Sequence, residues 1–121
     1  MSLPTTGSYR IEDIGPVYSL ILGSPISGQI SDEYRQQAIE LCAAAFDSFT
    51  VIKSDGYFKG KLEDSLMFKI ATQEPQKVIG FAAQLAVVFK QEGVGLLRPA
   101  SLMTGASVYS RVIPDRPVMS S

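Results

Sequence analysis

The hydrophobic residues of this chain change period along its length, and that change constrains the fold more than any single motif. Val17 to Leu22 is an apolar stretch with one serine and reads as a buried strand. Gly23-Ser24-Pro25 ends it, and a loop continues through Gly28. Tyr34, Ala38, Leu41, Cys42 and Ala45 then recur at helical spacing, giving one apolar face. Ser31 is placed to cap that helix, and Asp32 and Glu33 suit the positive end of its dipole. The spacing predicts a helix from about Asp32 to Phe46. Phe49 to Lys53 is aromatic and β-branched, so it reads as a strand. Asp55-Gly56 is a turn or bulge signal, with Tyr57 and Phe58 continuing beyond it. Leu62 to Asp64 is expected to turn the chain back. Leu66, Phe68 and Ile70 alternate with Ser65, Met67 and Lys69, the period-2 pattern of a half-buried strand.

Pro75 suits the first turn of a second helix. Val78, Phe81, Ala82, Leu85, Val88 and Phe89 carry its apolar face, and Gly93 is the expected stop. Val94 to Leu97 gives a fourth strand that Pro99 interrupts, and Ala106 to Val112 reads as an extra fifth. Strand, helix, strand, strand, helix, strand is the ferredoxin-like βαββαβ order. It predicts an antiparallel α/β (α+β) sandwich with two helices on one sheet face. The opposite face then lacks cover, and the apolar Leu102-Met103 adds to what needs covering. A second copy is the expected cover, so the chain is read as a homo-oligomer, a trimer. One domain spanning 1–121 is expected, with its core at about 16–98 and loose termini at 1–15 and 113–121.

Composition removes several chemistries. With no histidine, Ser-His-Asp and Cys-His catalysis are excluded within the chain, as are histidine metal sites. Cys42, the lone cysteine, builds neither a zinc cluster nor an internal disulfide, and it reads as a small buried hydrophobe. No metal and no cofactor are expected. The net charge of −1 argues against nucleic acid. Arg98, Arg111 and Arg116 make the C-terminal part locally basic and read as a solvated tail. No apolar run approaches the ~20 residues that span a bilayer, and no signal-peptide pattern opens the chain. No membrane partner and a cytoplasmic location are the expectations. Met1-Ser2-Leu3 is either native or an expression remnant.

The segment Gly56-Tyr57-Phe58-Lys59-Gly60-Lys61-Leu62-Glu63-Asp64-Ser65 concentrates the candidate site residues. Glu63 is a hydrogen-bond acceptor for an amine or ribose hydroxyls, or a general base if burial raises its pKa; its plain alternative is a solvated turn. Gly56 and Gly60 permit either close backbone approach to a ligand or a twisted hairpin. There is no dinucleotide or P-loop glycine pattern. Tyr57 and Phe58 are suited to stacking on a planar base or to packing within the hairpin. Lys59 and Lys61 either pair with phosphates or guard a sheet edge. Gln91 would read a base edge or a carboxylate, or simply satisfy helix-end groups. Ser24 and Ser27 lie in the loop after the first strand, a common binding position.

The pattern G-aromatic-x-x-G-x-x-E-x-S, then a strand, a helix and Q-E-x-V, resembles small ferredoxin-like proteins of bacteria and phages. It is distantly similar to the phage S-adenosylmethionine lyases and, in outline, to the trimeric PII-like proteins. The resemblance covers about Val17 to Leu97. It implies an inter-subunit site for a nucleotide or nucleoside-like metabolite, lined by Tyr57, Phe58, Gly60, Lys61, Ser65 and Gln91. Glu63 would be the catalytic group if the chain is an enzyme. The resemblance implies a metal-free lyase reaction in which the substrate's own carboxylate attacks and releases methylthioadenosine. Glu63 would orient the substrate or take a proton, and Gln91 would fix its polar end. The leading expectation is a binding protein. The alternatives are that lyase and an interaction module without a small ligand.

Overall fold

The computed structural model describes residues 7–102 and 105–115. The element order is β1 (Val17–Gly23), α1 (Asp32–Ala45), β2 (Thr50–Phe58), β3 (Lys61–Ala71), α2 (Pro75–Val88), β4 (Val94–Arg98) and β5 (Val108–Val112). The strands form one antiparallel sheet in the order β2-β3-β1-β4-β5. This is the ferredoxin-like arrangement, extended at one edge by β5. Met1 to Leu3, Met103 and Arg116 lie outside the described residues, as does most of the expected loose C-terminal end. No described helix is long and apolar enough to cross a membrane.

Alternation along the strands sorts side chains between two faces. Tyr18, Leu20 and Leu22 of β1, Leu66, Phe68 and Ile70 of β3, and Val94 and Leu96 of β4 are buried under the helices. Ala38 and Cys42 of α1 and Val78, Phe81, Ala82, Leu85 and Ala86 of α2 meet them there. Phe81 links the layers: its ring stands edge-on to Phe68 at 6.2 Å and to Phe46 at 5.8 Å. Cys42 is fully buried, as its alanine-rich surroundings suggested, and burial pushes its thiol up to about 12.

Local signals set most boundaries. Ser31 caps α1 through its hydroxyl, which accepts from the Tyr34 amide at 3.1 Å. Phe46 closes that helix, its amide donating to the Cys42 carbonyl at 2.8 Å. The second helix ends earlier than the glycine signal suggested. Lys90 takes a left-handed conformation (φ 54°), its amide donates to the Val87 carbonyl, and the Gln91 amide donates to Ala86 at 2.8 Å. Those bonds satisfy the orphan carbonyls in a Schellman-type closure, with lysine at the position usually held by glycine.

The β2–β3 hairpin departs from the expected layout. Its register runs without a break from Thr50↔Lys69 through Asp55↔Asp64 and Gly56↔Glu63 to Phe58↔Lys61. Asp55-Gly56 is therefore neither turn nor bulge, and Leu62 to Asp64 is strand. The reversal falls on Lys59 and Gly60, with φ of 49° and 82°. A two-residue loop with both residues at positive φ matches the right-handed twist of the strands. A reversal at Asp55-Gly56 would give up the strand pairs from Asp55↔Asp64 to Phe58↔Lys61 that the turn at Lys59-Gly60 keeps. Gly60 adopts its conformation without strain, whereas Lys59 does so at a cost of ~1–2 kcal/mol.

Candidate functional site

The face away from the helices holds a different set of residues. Val17 and Ser19 of β1, Ile52 and Ser54 of β2, Ser65 and Met67 of β3 and Leu97 of β4 alternate with the core positions and point there. Val17, Ile52 and Leu97 are 53%, 40% and 40% exposed, so this side of the sheet is partly apolar and open.

A trough of about 490 Å³ crosses this open face. Its lining includes Ile21, Gly23, Ser65, Gly93 and Gly95. Gly56, Tyr57 and Phe58 come from β2, Tyr109 and Arg111 from β5, and Gln91 and Glu92 from the segment after α2. The volume falls in the ~300–1,000 Å³ range of small-molecule pockets.

Missing side chains make the trough. A Cβ at Gly93 would lie 2.6 Å from Cγ of Arg111, and one at Gly95 would run into the Tyr109 hydroxyl. Tyr109 stands opposite Leu97, and Arg111 opposite Gly95. Each side chain thus leans two residues back along the neighbouring segment, and the glycines leave room for it. The sequence offers Gly93 as a helix stop, and Arg111 both as a member of the expected fifth strand and as part of a solvated basic tail. The structure gives Gly93 a packing role and puts Arg111 on a paired strand, 3.8 Å from the Glu92 carboxylate.

Gln91 is held firmly. Its Nε2 donates to the Ser24 carbonyl at 3.1 Å, and a Cβ on Gly23 would sit 3.1 Å from its Oε1. Tyr34 reaches the same corner, its hydroxyl donating to the Gly23 carbonyl at 2.7 Å. Burial pushes the Tyr34 phenol up to about 12, against a smaller lowering by a hydrogen bond with the Gln91 side chain. Helical spacing marked Tyr34 as an apolar-face residue and gave no sign of its polar end. Ser24 is buried and Ser27 bonds the Gln29 carbonyl, both beside a separate hollow that includes Phe89 and Lys90.

Of the residues predicted from sequence, Tyr57, Phe58, Ser65 and Gln91 share the trough. Ser65 is buried, its hydroxyl 2.7 Å from that of Ser54 across the strand pair. Gly60, Lys61 and Glu63 sit toward the hairpin end and are not among its lining residues. Glu63 and Lys61 flank Gly28: a Cβ there would lie 3.7 Å from Cγ of Glu63 and 3.9 Å from Nζ of Lys61. Lys59 stands 5.3 Å from the centre of the Phe58 ring. Asp64 does structural work that its neighbour obscured. Its carboxylate accepts from the Ile30 amide and its own amide donates to the Gly28 carbonyl, both at 2.9 Å. These two bonds fasten the 24–31 loop to the rim of the trough.

No family model matches the chain, and no curated protein matches it. Among solved structures, it is similar to a phage S-adenosylmethionine lyase in complex with S-methyl-5'-thioadenosine. That match has a TM-score of 0.64 at 16% identity, covering 89% of this chain and 96% of the lyase chain. A phage S-adenosylmethionine lyase in the apo state gives 0.66 at 16% identity, covering 93% and 99%. The expected distant similarity is therefore present at the level of fold.

Proposed function

We propose that the open-face trough binds a nucleoside-like metabolite. The observation that carries this reading is the trough's construction. A glycine floor at Gly23, Gly93 and Gly95 lies between the aromatic wall of Tyr57 and Phe58 and the polar wall of Tyr109 and Arg111. Aromatic rings suit the face of a planar base, and fixed amide and hydroxyl groups suit its edges and sugar. The fold similarity to a lyase that holds a thioadenosine supports the same ligand class. The assembly in this reading is a cytoplasmic homo-oligomer, a trimer, whose partner copy covers Val17, Ile52 and Leu97. Gly60, Lys61 and Glu63 would enter the site where the copies meet.

The second reading is a metal-free S-adenosylmethionine lyase, favoured by the same structural neighbours. Intramolecular attack asks the protein mainly for positioning, which alone lowers a barrier by ~7–11 kcal/mol. Glu63 would orient the substrate or take a proton, and Gln91 would hold its polar end. An interaction module without a small ligand is the remaining alternative.

Calorimetric titration with S-methyl-5'-thioadenosine and S-adenosylmethionine separates the readings, with light scattering on the same samples to size the assembly. Saturable binding is expected, with ~2.7 kcal/mol of added stability at 100 times the dissociation constant. Release of methylthioadenosine from S-adenosylmethionine, lost in Glu63→Gln, would establish the lyase. Absence of binding to any nucleoside by folded protein would leave the interaction module. A clean monomer would remove the inter-subunit arrangement.

A further inference from the structure

We infer that Arg111 is the specificity residue of the trough, selecting nucleoside-like ligands that carry a carboxylate. The inference rests on the trough being a nucleoside site and adds a chemical class to it. Among the described residues lining the trough, Arg111 is the one basic side chain, set against the carboxylates of Asp64 and Glu92. The Asp64 carboxylate is already engaged by the Ile30 amide and lies 3.8 Å from Lys53, which leaves Arg111 and Glu92 as the charged pair of the trough.

Its placement is built into the backbone. The arginine stem lies where a Cβ on Gly93 would be, 2.6 Å from Cγ and 2.9 Å from Cδ. Pairing of β5 with β4, Gly95 opposite Arg111, fixes where that stem begins. The stem is thereby seated over Gly93, just ahead of β4, while about half of the side chain stays exposed at the trough.

Its present partner is weak. The nearest Arg111–Glu92 approach is 3.8 Å, with the side chains 51% and 79% exposed. Exposed pairs of this kind contribute little, so a better acceptor displaces Glu92 at small cost. A carboxylate presented in the trough offers the planar, two-oxygen geometry that a guanidinium fork matches. Glu92, once released, remains beside the bound group and suits an ammonium carried on the same ligand. An amino-acid end joined to a nucleoside satisfies both.

The test compares two thioethers that differ in that end: S-adenosylhomocysteine, which has the amino-acid group, and S-methyl-5'-thioadenosine, which lacks it. Both are titrated into wild type, Arg111→Gln and Arg111→Lys, each checked for unchanged melting. Wild type is expected to prefer S-adenosylhomocysteine about tenfold. Arg111→Gln should lose that preference by weakening S-adenosylhomocysteine about tenfold more than S-methyl-5'-thioadenosine, and Arg111→Lys should recover part of it. Equal weakening of both ligands, or an unchanged preference, overturns the role of Arg111 and leaves the nucleoside site standing. Binding of neither ligand by wild type overturns the nucleoside reading itself, and the inference with it.

Discussion

The two faces of this sheet are made by the same strands and obey opposite rules. The helix-covered face takes the largest apolar side chains and leaves them no exposure: Leu20, Leu22, Leu66, Phe68 and Ile70 are all at 0%. One residue further along each strand, the open face holds Ser19, Ser65 and Met67 beside the glycines of the trough. Stability is concentrated on one side and access on the other. A period of two permits both within a single stretch of chain.

Substitution at adjacent positions in β3 gives the largest expected contrast. Phe68→Ala removes a ring that packs on Phe49 and Phe81 and should cost ~3–5 kcal/mol in chemical denaturation. Met67→Ala, next in sequence but on the half-open face, should cost about 1 kcal/mol, since less area leaves water there. Equal costs would show that something covers the open face in solution. Gly95→Ala sharpens the comparison differently. Its Cβ forces the exposed Tyr109 ring aside and comes 3.3 Å from Cβ of Ile21, so stability should fall by about 1 kcal/mol. Nucleoside binding should fall about tenfold, because the displaced ring fills the trough. A large loss of stability with binding intact would break the assignment.

The smallest effect is expected at high pH. Tyr34 is protonated more readily in the folded chain, with its phenol near 12 against 10 when unfolded. Between those values the unfolded state has given up the proton that the folded state retains. The stability tied to this group is intact below pH 10 and declines as pH rises toward 12. Melting temperatures across that window should fall less steeply in Tyr34→Phe than in wild type. Parallel curves would show that the hydroxyl bonded to Gly23 is not the responsive group.

Periodicity alone exposed the covered face. Every residue placed on the apolar side of β3 is buried, and the cap at Ser31 is where side-chain chemistry put it. Turn positions were less readable because local signals compete. Asp55-Gly56 and Lys59-Gly60 both permit reversal, and the later one wins because it keeps the strand pairs from Asp55↔Asp64 to Phe58↔Lys61. Part of the trough was visible as the cluster between Gly56 and Ser65, with Gln91 beside it. The rest was hidden because its information lies in absent side chains: glycines at 93 and 95 have meaning only once β5 is known to lie alongside. Arg111 illustrates this well. It falls within the expected fifth strand, but an arginine that leaves such a strand for solvent and one laid over a neighbouring glycine look identical in sequence.

The central position of β1 has a consequence for the chain during synthesis. β1 emerges first among the strands, yet its partners are β3 and β4, with Leu20 paired to Phe68 and to Leu96. At the usual pace of translation, ~5–20 residues per second, Leu20 waits roughly 4–15 s for Leu96 to follow it. Tyr-Ser-Leu-Ile-Leu is an apolar strand with both edges unpaired until β3 is made and one edge unpaired until β4 follows, the kind of segment that associates with other nascent chains. The β2–β3 hairpin, with the shortest connection in the sheet, forms within microseconds once made and gives β1 its first edge. The tight turn at Lys59-Gly60 thus limits how long the most adhesive part of the protein stays unaccompanied.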